Sequence, residues 1–560
     1  MKHSLSLLLA CLLCAESGLA QTFVISAATG ALTAWNSNST TETATYWTSP
    51  DYLTVEPFLI LTSSAGNTIK ALGSDGLTLS HGDGNSAAYT LSTASGYVIT
   101  DYSFRAEGDI ESLQLPERAA AADGIFSIDG LESQSVTAFT LTQGEVTIRD
   151  FRVNVAKSPA FHSHLNLFPT PVYQSAQANW VPYRIPAIAQ AKNGNLIAVA
   201  DYRYSTGDIG TGVLDLRYRI SRDNGHTWSD IQTLIRGHED ANGYWGYGDP
   251  AIVADRESNR VLLLCCEGDI TYQQGSREHH QGISRIYSDD GGETWTYDAN
   301  IEGEIYSMFD ASETGTPAAM FVGSGRVFQS STLKVGDYYR LYCSVLYKDV
   351  QGVYKNYIIY SDDFGKSWAV LGGVNAPGIT SGADEPKVEE LPNGSILLSS
   401  RINGGRYYNI YTFTNPRTAE GSWGKQARST VQNNGVIAQS NSTNGEILCL
   451  PARRTADGAA TFIVLQSVPI GPGRANVGIY YKELASPYHY DTPSAFARNW
   501  DGCYQASYTG SAYSTFVLQH DGRIGFLFEE STYGANASYT IVYQSLSLEE
   551  ITQGKYSVVE

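Results

Sequence analysis

Apolar and polar positions alternate with a period of two in several stretches of this chain, which is the pattern of half-buried strands. Tyr89-Thr90-Leu91-Ser92 and Val146-Thr147-Ile148-Arg149-Asp150-Phe151-Arg152-Val153 show it within residues 21–157. Gly and Asp interrupt these short runs every ten residues or so, so residues 21–157 are predicted to form an antiparallel β-sandwich. Around Lys157-Ser158-Pro159 the chain reads as a linker. Further on, Val261-Leu262-Leu263-Leu264 and Tyr357-Ile358-Ile359-Tyr360 are apolar, β-rich runs, and Val477-Gly478-Ile479-Tyr480 alternates again. A different pattern opens the chain: Lys2 and His3 precede an apolar run, Leu5 to Leu13, and Gly18-Leu19-Ala20 supplies small residues for cleavage. Residues 1–20 are therefore expected to be a secretory signal peptide, too short to span a membrane. A lipoprotein signal at Leu8-Leu9-Ala10-Cys11 would leave a shorter apolar run. No later segment reaches the ~20 apolar residues of a transmembrane helix, so the mature chain is expected to be exported and soluble.

Composition sharpens this picture. Charged residues make up 17% of the 560, where about 25% is usual, and 54 Gly and 37 Tyr are present. That mixture suits many strands and tight turns and argues against helical bundles and disorder. The net charge of −20 excludes a broad basic surface for nucleic acid. Any anionic substrate would have to be met by cationic residues gathered in one place. Residues 21–155 carry 15 acidic and 5 basic residues. If this module holds glycan, Trp35, Trp47 and Tyr52 are its exposed-aromatic candidates; pure support of the neighbouring domain is the other reading. Beyond the leader, Cys265, Cys266, Cys343, Cys449 and Cys503 are too few and too scattered for a disulfide framework or a zinc site. Cys265 and Cys266 follow an apolar strand and read as small core residues on opposite faces.

From about residue 165 a motif repeats. Ser221-Arg222-Asp223-Asn224-Gly225-His226-Thr227-Trp228 is matched by Ser288-Asp289-Asp290-Gly291-Gly292-Glu293-Thr294-Trp295 and by Ser361-Asp362-Asp363-Phe364-Gly365-Lys366-Ser367-Trp368. A hairpin turn explains the residue types: Asp caps turn amides, Gly takes positive φ, and Trp packs on the sheet. A calcium loop would need further oxygen ligands that this spacing lacks. Such repeats suggest four-stranded sheets stacked radially, a β-propeller.

These repeats resemble the Asp-boxes of the sialidase (neuraminidase) superfamily, and Tyr183-Arg184-Ile185-Pro186 is similar to the motif that opens its catalytic domain. The resemblance spans roughly residues 165 to 550. It implies an all-β chain with a six-bladed β-propeller catalytic domain over residues 165–560, preceded by the N-terminal β-sandwich. It also implies three arginines holding the carboxylate of a sialic acid. Arg184 matches the first; Arg401, sixteen residues after Glu385, matches the second. The third matches Arg474, with Arg453 and Arg454 as competitors. Tyr513, in Ser511-Ala512-Tyr513-Ser514 ahead of Gly522-Arg523-Ile524-Gly525, matches the nucleophile, with Tyr508 as the nearest rival and Glu385 as its base. Glu529 matches the carboxylate that holds Arg184, with Glu530 beside it. Arg203 and Asp208, in Arg203-Tyr204-Ser205-Thr206-Gly207-Asp208, match a sugar-contacting Arg and the general acid/base; Asp201 is the alternative acid, and a turn-capping Asp is the local alternative for Asp208.

The resemblance thus implies a retaining exo-α-sialidase acting on sialylated glycans, with neither metal nor organic cofactor and no nucleic-acid partner. A trans-sialidase, intramolecular or not, would share every residue named. A sialic-acid-binding propeller without catalysis would keep the arginines and lose Tyr513 or Asp208. A propeller acting on neutral sugars would have no use for three arginines.

Overall fold

The computed structural model describes residues 183–531, without 242, 437–441 and 509, and residues 539–559. Before residue 183 it describes 21–25, 44–47, 59–63, 68–72, 76–80, 86–93, 97–157 without 117, 118, 123 and 134, and 164–168. The expected leader, the Ser158-Pro159 part of the linker, Trp35 and Tyr52 lie outside the described residues, as does the side chain of Trp47. Strands dominate the described residues, among which the longest helix, Glu302–Ser307, has 6 residues. Among the described residues no helix is long and apolar enough to cross a membrane. The chain divides into two compact units at His164–Leu165.

The first unit contains two antiparallel sheets, one of seven strands and one of five. The long strands Tyr97–Gly108 and Glu145–Lys157 lie side by side in the first sheet, and Ala87–Thr93 with Ser135–Leu141 in the second. One apolar core takes Tyr102, Phe104, Ile148 and Phe151 from the first and Tyr89, Leu91 and Phe139 from the second. The alternation seen in the sequence explains this arrangement, since every second side chain of a strand shares a face.

The second unit is a succession of mainly antiparallel strand groups in chain order, the first two joined in one ten-stranded sheet by short parallel pairings. Their first strands are Tyr183–Gln190, Gly243–Ala254, Ala319–Val322, Pro386–Glu390, Glu446–Arg454 and Ser511–Leu518. Each apolar cluster joins one sheet to the next. Ile197 and Leu216 meet Leu263 and Cys265, Leu262 and Cys266 meet Leu341 and Ile359, and Tyr342 meets Leu398 and Tyr411. Tyr408 then meets Val464 and Tyr480, and Leu450 meets Phe516 and Phe528. Cys265 and Cys266 thus face opposite sides of one strand, and all five cysteines beyond the leader are free. The last sheet, Ser511–Leu518, Ile524–Ser531 and Tyr539–Leu546, takes its outer strand, His164–Phe168, from the start of the unit.

The three repeated turns are superimposable in their bonding. Asp223, Asp290 and Asp363 each accept the backbone N–H and the hydroxyl of the residue four positions on. The leading serine hydroxyl donates to that Asp and accepts the N–H of Gly225, Gly292 or Gly365. Their tryptophans depart from the simple hairpin expectation, because they reach the neighbouring sheet. Trp228 meets Tyr543 edge-on at 5.2 Å between ring centroids, and Trp295 meets Tyr218 at 5.9 Å. The turns therefore lock adjacent sheets together as well as closing their own hairpins.

Candidate active site

The functional side chains stand where first strands lose their regular ladder. Pairing of Tyr183–Gln190 slips between Arg184 and Ala187, that of Gly243–Ala254 between Gly248 and Ala251, and that of Ser511–Leu518 between Ser511 and Ser514. Pro186 and Pro250 sit inside the first two slips, and Pro386 directly follows Glu385. Proline cannot donate to a ladder, so the strand kinks there, and such irregularities re-aim side chains. The residues before Pro186 and Pro250, Ile185 and Asp249, have φ of 55° and 54°, a strained left-handed geometry for residues other than glycine. Arg184, Glu385 and Tyr513 consequently sit at or just before the N-terminal ends of three of these strands, and Asp249 at the kink within Gly243–Ala254.

Tyr513 is the hub of one side of the site. Its hydroxyl donates to Glu385 Oε1 at 2.6 Å. Arg401 Nη1 donates to the same hydroxyl oxygen at 3.0 Å and to Glu385 Oε2 at 2.7 Å. The guanidinium carbons of Arg184 and Arg474 lie 5.4 and 5.5 Å from the centre of the Tyr513 ring. Burial, then the neighbouring Glu385 charge, hold the Tyr513 phenol well above its ordinary pKa, with Arg401 and Arg474 pulling the other way. The proton therefore rests on Tyr513 in the free protein.

Glu529 fixes the opening arginine. One of its oxygens accepts from Arg184 Nε at 2.6 Å and from the Ile185 N–H at 2.9 Å, and the other accepts the Tyr513 N–H at 3.1 Å. The Glu529 side chain is buried, and that of Arg184 is 14% exposed. Tyr539 backs the guanidinium at 5.2 Å. No described residue bonds to the terminal nitrogens of Arg184, so its outer edge is free to receive an anion. Ser442 links the other two arginines, accepting Arg401 Nε at 2.6 Å through its hydroxyl and Arg474 Nη2 at 3.5 Å through its carbonyl.

Across from this cluster, Arg203 bridges Asp201 and Asp208, with Nη2 at 3.1 and 3.2 Å from their carboxylates. The two acids differ in access: Asp201 is fully buried, while the Asp208 side chain is 62% exposed. Asp208 Oδ1 accepts the Ile209 N–H at 2.9 Å, and Thr211 braces the backbone of the loop on both sides. The turn-capping role and the Arg203 contact thus coexist on one oxygen, leaving Oδ2 without a described partner. Gly210, at φ 83°, lets this loop approach the chain at Ile270, where a Cβ would stand 2.2 Å from the Ile270 carbonyl carbon. Burial is the largest cause raising the Asp201 carboxyl, to about 7, with Arg203 opposing it and Asp208 adding to it.

The sequence rivals fall away from this site. Arg453 bonds to the Gly458 carbonyl, and Arg454 pairs with Asp457 and Glu483, all at the far end of Glu446–Arg454. Among the described residues Tyr508 makes no hydrogen bond to Glu385 or the arginines. Glu530 faces the other way and accepts from Ser507.

Asp249 is the residue that sequence reasoning missed. Its N–H donates to Asp201 at 3.0 Å. Burial, followed by the fields of Asp201, Asp208 and Glu385, pushes its carboxyl well above the usual range. It therefore lies beside Asp201 and the acid loop. The available signal was Gly248-Asp249-Pro250, which repeats the residue-before-proline arrangement of Arg184-Ile185-Pro186.

Residues 185–468 match the family described as BNR repeat-like domain. A sialidase of Micromonospora viridifaciens is 29% identical over 233 residues, which is 39% of this chain and 32% of that protein. A sialidase of Paraclostridium sordellii is 25% identical over 233 residues, 41% of this chain and 54% of that protein. The aligned part thus spans between about a third and about half of these relatives' own length. Among solved structures, a Hadza microbial sialidase shares the fold with a TM-score of 0.53 at 17% identity, over 81% of this chain and 94% of its own. With the family match covering just over half of its 560 residues, the chain belongs to the BNR repeat-like family, within the Asp-box sialidase superfamily.

Proposed function

We propose that the chain is a retaining exo-α-sialidase that hydrolyses terminal sialic acids from glycoproteins, glycolipids and oligosaccharides. The observation that carries this reading is the Tyr513 phenol donating to Glu385 at 2.6 Å with three guanidinium groups around it. A sialic acid bears a carboxylate on its anomeric carbon. Arg184, Arg401 and Arg474 receive that carboxylate, each offering nitrogens that no described residue occupies. A carboxylate nucleophile would be repelled by the substrate's own charge, whereas neutral Tyr513 is not.

The reaction needs only proton transfers and one covalent intermediate. Glu385 takes the Tyr513 proton as the phenol oxygen attacks the anomeric carbon, and Asp208 gives its proton to the departing glycosidic oxygen. In the second step Asp208 accepts a proton from water as the water oxygen attacks the same carbon. The bond to Tyr513 breaks, and Glu385 returns the proton to the phenolate. Two inversions give net retention. Arg203 holds Asp208 toward the sugar, and Glu529 holds Arg184. The scheme invokes no metal or organic cofactor.

A ten-stranded, three five-stranded and one four-stranded sheet among the described residues, with apolar layers between successive strand groups and a last sheet completed by the first strand, support a six-bladed β-propeller over residues 165–560 if the ten-stranded sheet counts as two blades. The two sheets and shared core of the first unit support the N-terminal β-sandwich. The test is release of free sialic acid from a fluorogenic sialoside by wild-type protein, repeated on Tyr513→Phe. Release by wild type and its loss in the variant are expected. No release by well-folded wild type contradicts the reading.

A further inference from the structure

The strand that follows Glu385 carries charge inward at every second position. Lys387 and Glu389 lie on Pro386–Glu390, so with Glu385 they share one face, about 7 Å apart at each step. All three are buried. Other strand groups add to this file. Lys387 Nζ stands 3.6 Å from Glu446 Oε2, and the Thr515 hydroxyl donates to that same oxygen at 3.1 Å. Arg326 Nη2 is 2.7 Å from Glu389 Oε2 and 4.0 Å from Glu446 Oε1. Gly325, at φ 100°, leaves the room: a Cβ there would stand 2.8 Å from Lys387 Nζ and 2.9 Å from Glu446 Oε2.

The cations in this file are not fully matched. Arg326 has Glu389 as a close partner. Buried Arg406 donates to the Ser399 hydroxyl and to the Ser399 and Thr443 carbonyls, all neutral groups. Lys387 is 1% exposed, and its Nζ donates to no described residue. An ammonium that makes no hydrogen bond contributes only its charge, and burying that charge costs free energy. Burial pulls Lys387 below the usual lysine range, with Glu446 and then Glu385 opposing it. Burial likewise lowers Arg406, to about 10, against Tyr408, Glu385 and Glu446. Three cations thus stand with Glu389 and Glu446, and Glu385 brings the third acid.

On its outer side Glu385 meets Tyr513 and Arg401, with Asp384 3.8 Å from that arginine and Asp249 within range of its field. A substrate carboxylate among the arginines would add one more negative charge there. That charge favours a proton on Glu385, and a protonated Glu385 cannot take the one on Tyr513. The uncancelled charge of Lys387 opposes this from the interior.

We propose that Lys387 is a positioning residue for the reaction, its buried charge keeping the Glu385 carboxylate ionised to receive the Tyr513 proton. The role rests on the sialidase reading, although the coupling between Lys387 and Glu385 does not. Met nearly matches the lysine stem, and Gln at 446 keeps an oxygen for Thr515, so Lys387→Met and Glu446→Gln should fold. The acid limb of kcat/KM reports the essential base of the free enzyme. Lys387→Met should move that limb up by about one pH unit, and Glu446→Gln should move it down. A purely structural role would lower the rate at every pH and leave the limb in place. A limb that stays put in Lys387→Met, or moves up in both variants, overturns the assignment. Thermal melts at pH 6 test the coupling without activity. Glu385→Gln should lower the melting temperature more in wild type than in Lys387→Met, and equal losses in the two backgrounds overturn it. If wild type cleaves no sialoside yet the melts show this difference, the sialidase reading fails and the coupling stands.

Discussion

Tyr513 and Glu385 are anchored on or beside kinked strands and tied by short bonds to Arg401, Glu529 and each other, whereas Asp208 sits in a solvent-facing loop pinned mainly by Arg203 and its own turn. The contrast follows from the two tasks. A nucleophile and its base must meet one carbon in one geometry, so buried, fully bonded groups serve them. An acid that also activates water must exchange protons with solvent, so it needs exposure. Buried Asp201 has the pKa of a general acid, about 7, but no open face. Exposed Asp208 has the open face. We propose that access favours Asp208, because a catalytic acid must first reach the leaving oxygen.

The largest expected effect breaks the buried side. Glu385→Gln removes the proton acceptor of Tyr513 and should lower kcat by ~10⁴, the upper end for lost general-base help, whatever the leaving group. A variant within tenfold of wild type would remove Glu385 from the chemistry. Asp208→Ala should instead discriminate. Activity on sialyllactose should fall by ~10²–10⁴, and that on an aryl sialoside at least roughly tenfold less, since a phenolate leaves with little protonation. Equal falls in a variant that still melts cooperatively would give Asp208 a positioning role and return the acid to Asp201.

Arg184→Ala should cost about 3 kcal/mol of transition-state stabilisation, roughly a hundredfold in kcat/KM, by removing a fork from the substrate carboxylate and leaving Glu529 unpaired. Unchanged rates would contradict the three-arginine assignment.

The smallest effect concerns stability. Burial raises the Asp201 carboxyl to about 7, so the folded chain keeps a proton that the unfolded chain releases near 4. That stabilisation is complete below about 4 and lost as the pH rises through about 7. Asp201→Asn carries no such titration. Its melting temperature relative to wild type should therefore rise from pH 5 to pH 8, by an amount corresponding to at most about 2.5 kcal/mol. A difference that is flat or falls with pH would mean that Arg203 keeps Asp201 ionised throughout.

Residues whose roles are local were legible in the sequence. The repeated turns bond almost wholly within eight residues, so Ser221, Asp223 and Thr227 announce themselves by spacing. Glu385 and Arg401 lie on a strand–turn–strand segment whose geometry is set by sixteen residues. Tyr513 was found by motif, and its partner is 128 residues away. What remained hidden is set by distant chain. Asp249 matters because Asp201, 48 residues earlier, accepts its N–H. Ser442 matters because Arg401 and Arg474 converge on it. That the repeat tryptophans would brace neighbouring sheets, as Trp228 does against Tyr543, depends on a contact between opposite ends of the second unit.

The central claim is that Tyr513, on the buried side, forms the covalent bond. Incubation with 2,3-difluorosialic acid tests it directly. Fluoride departs on attack, and the second fluorine slows hydrolysis enough for the adduct to be weighed. The account predicts a mass gain of one fluorosialyl group on the peptide containing Tyr513, absent from Tyr513→Phe. An adduct on Glu385 or Asp208, or an unmodified protein that still consumes the reagent, would contradict it.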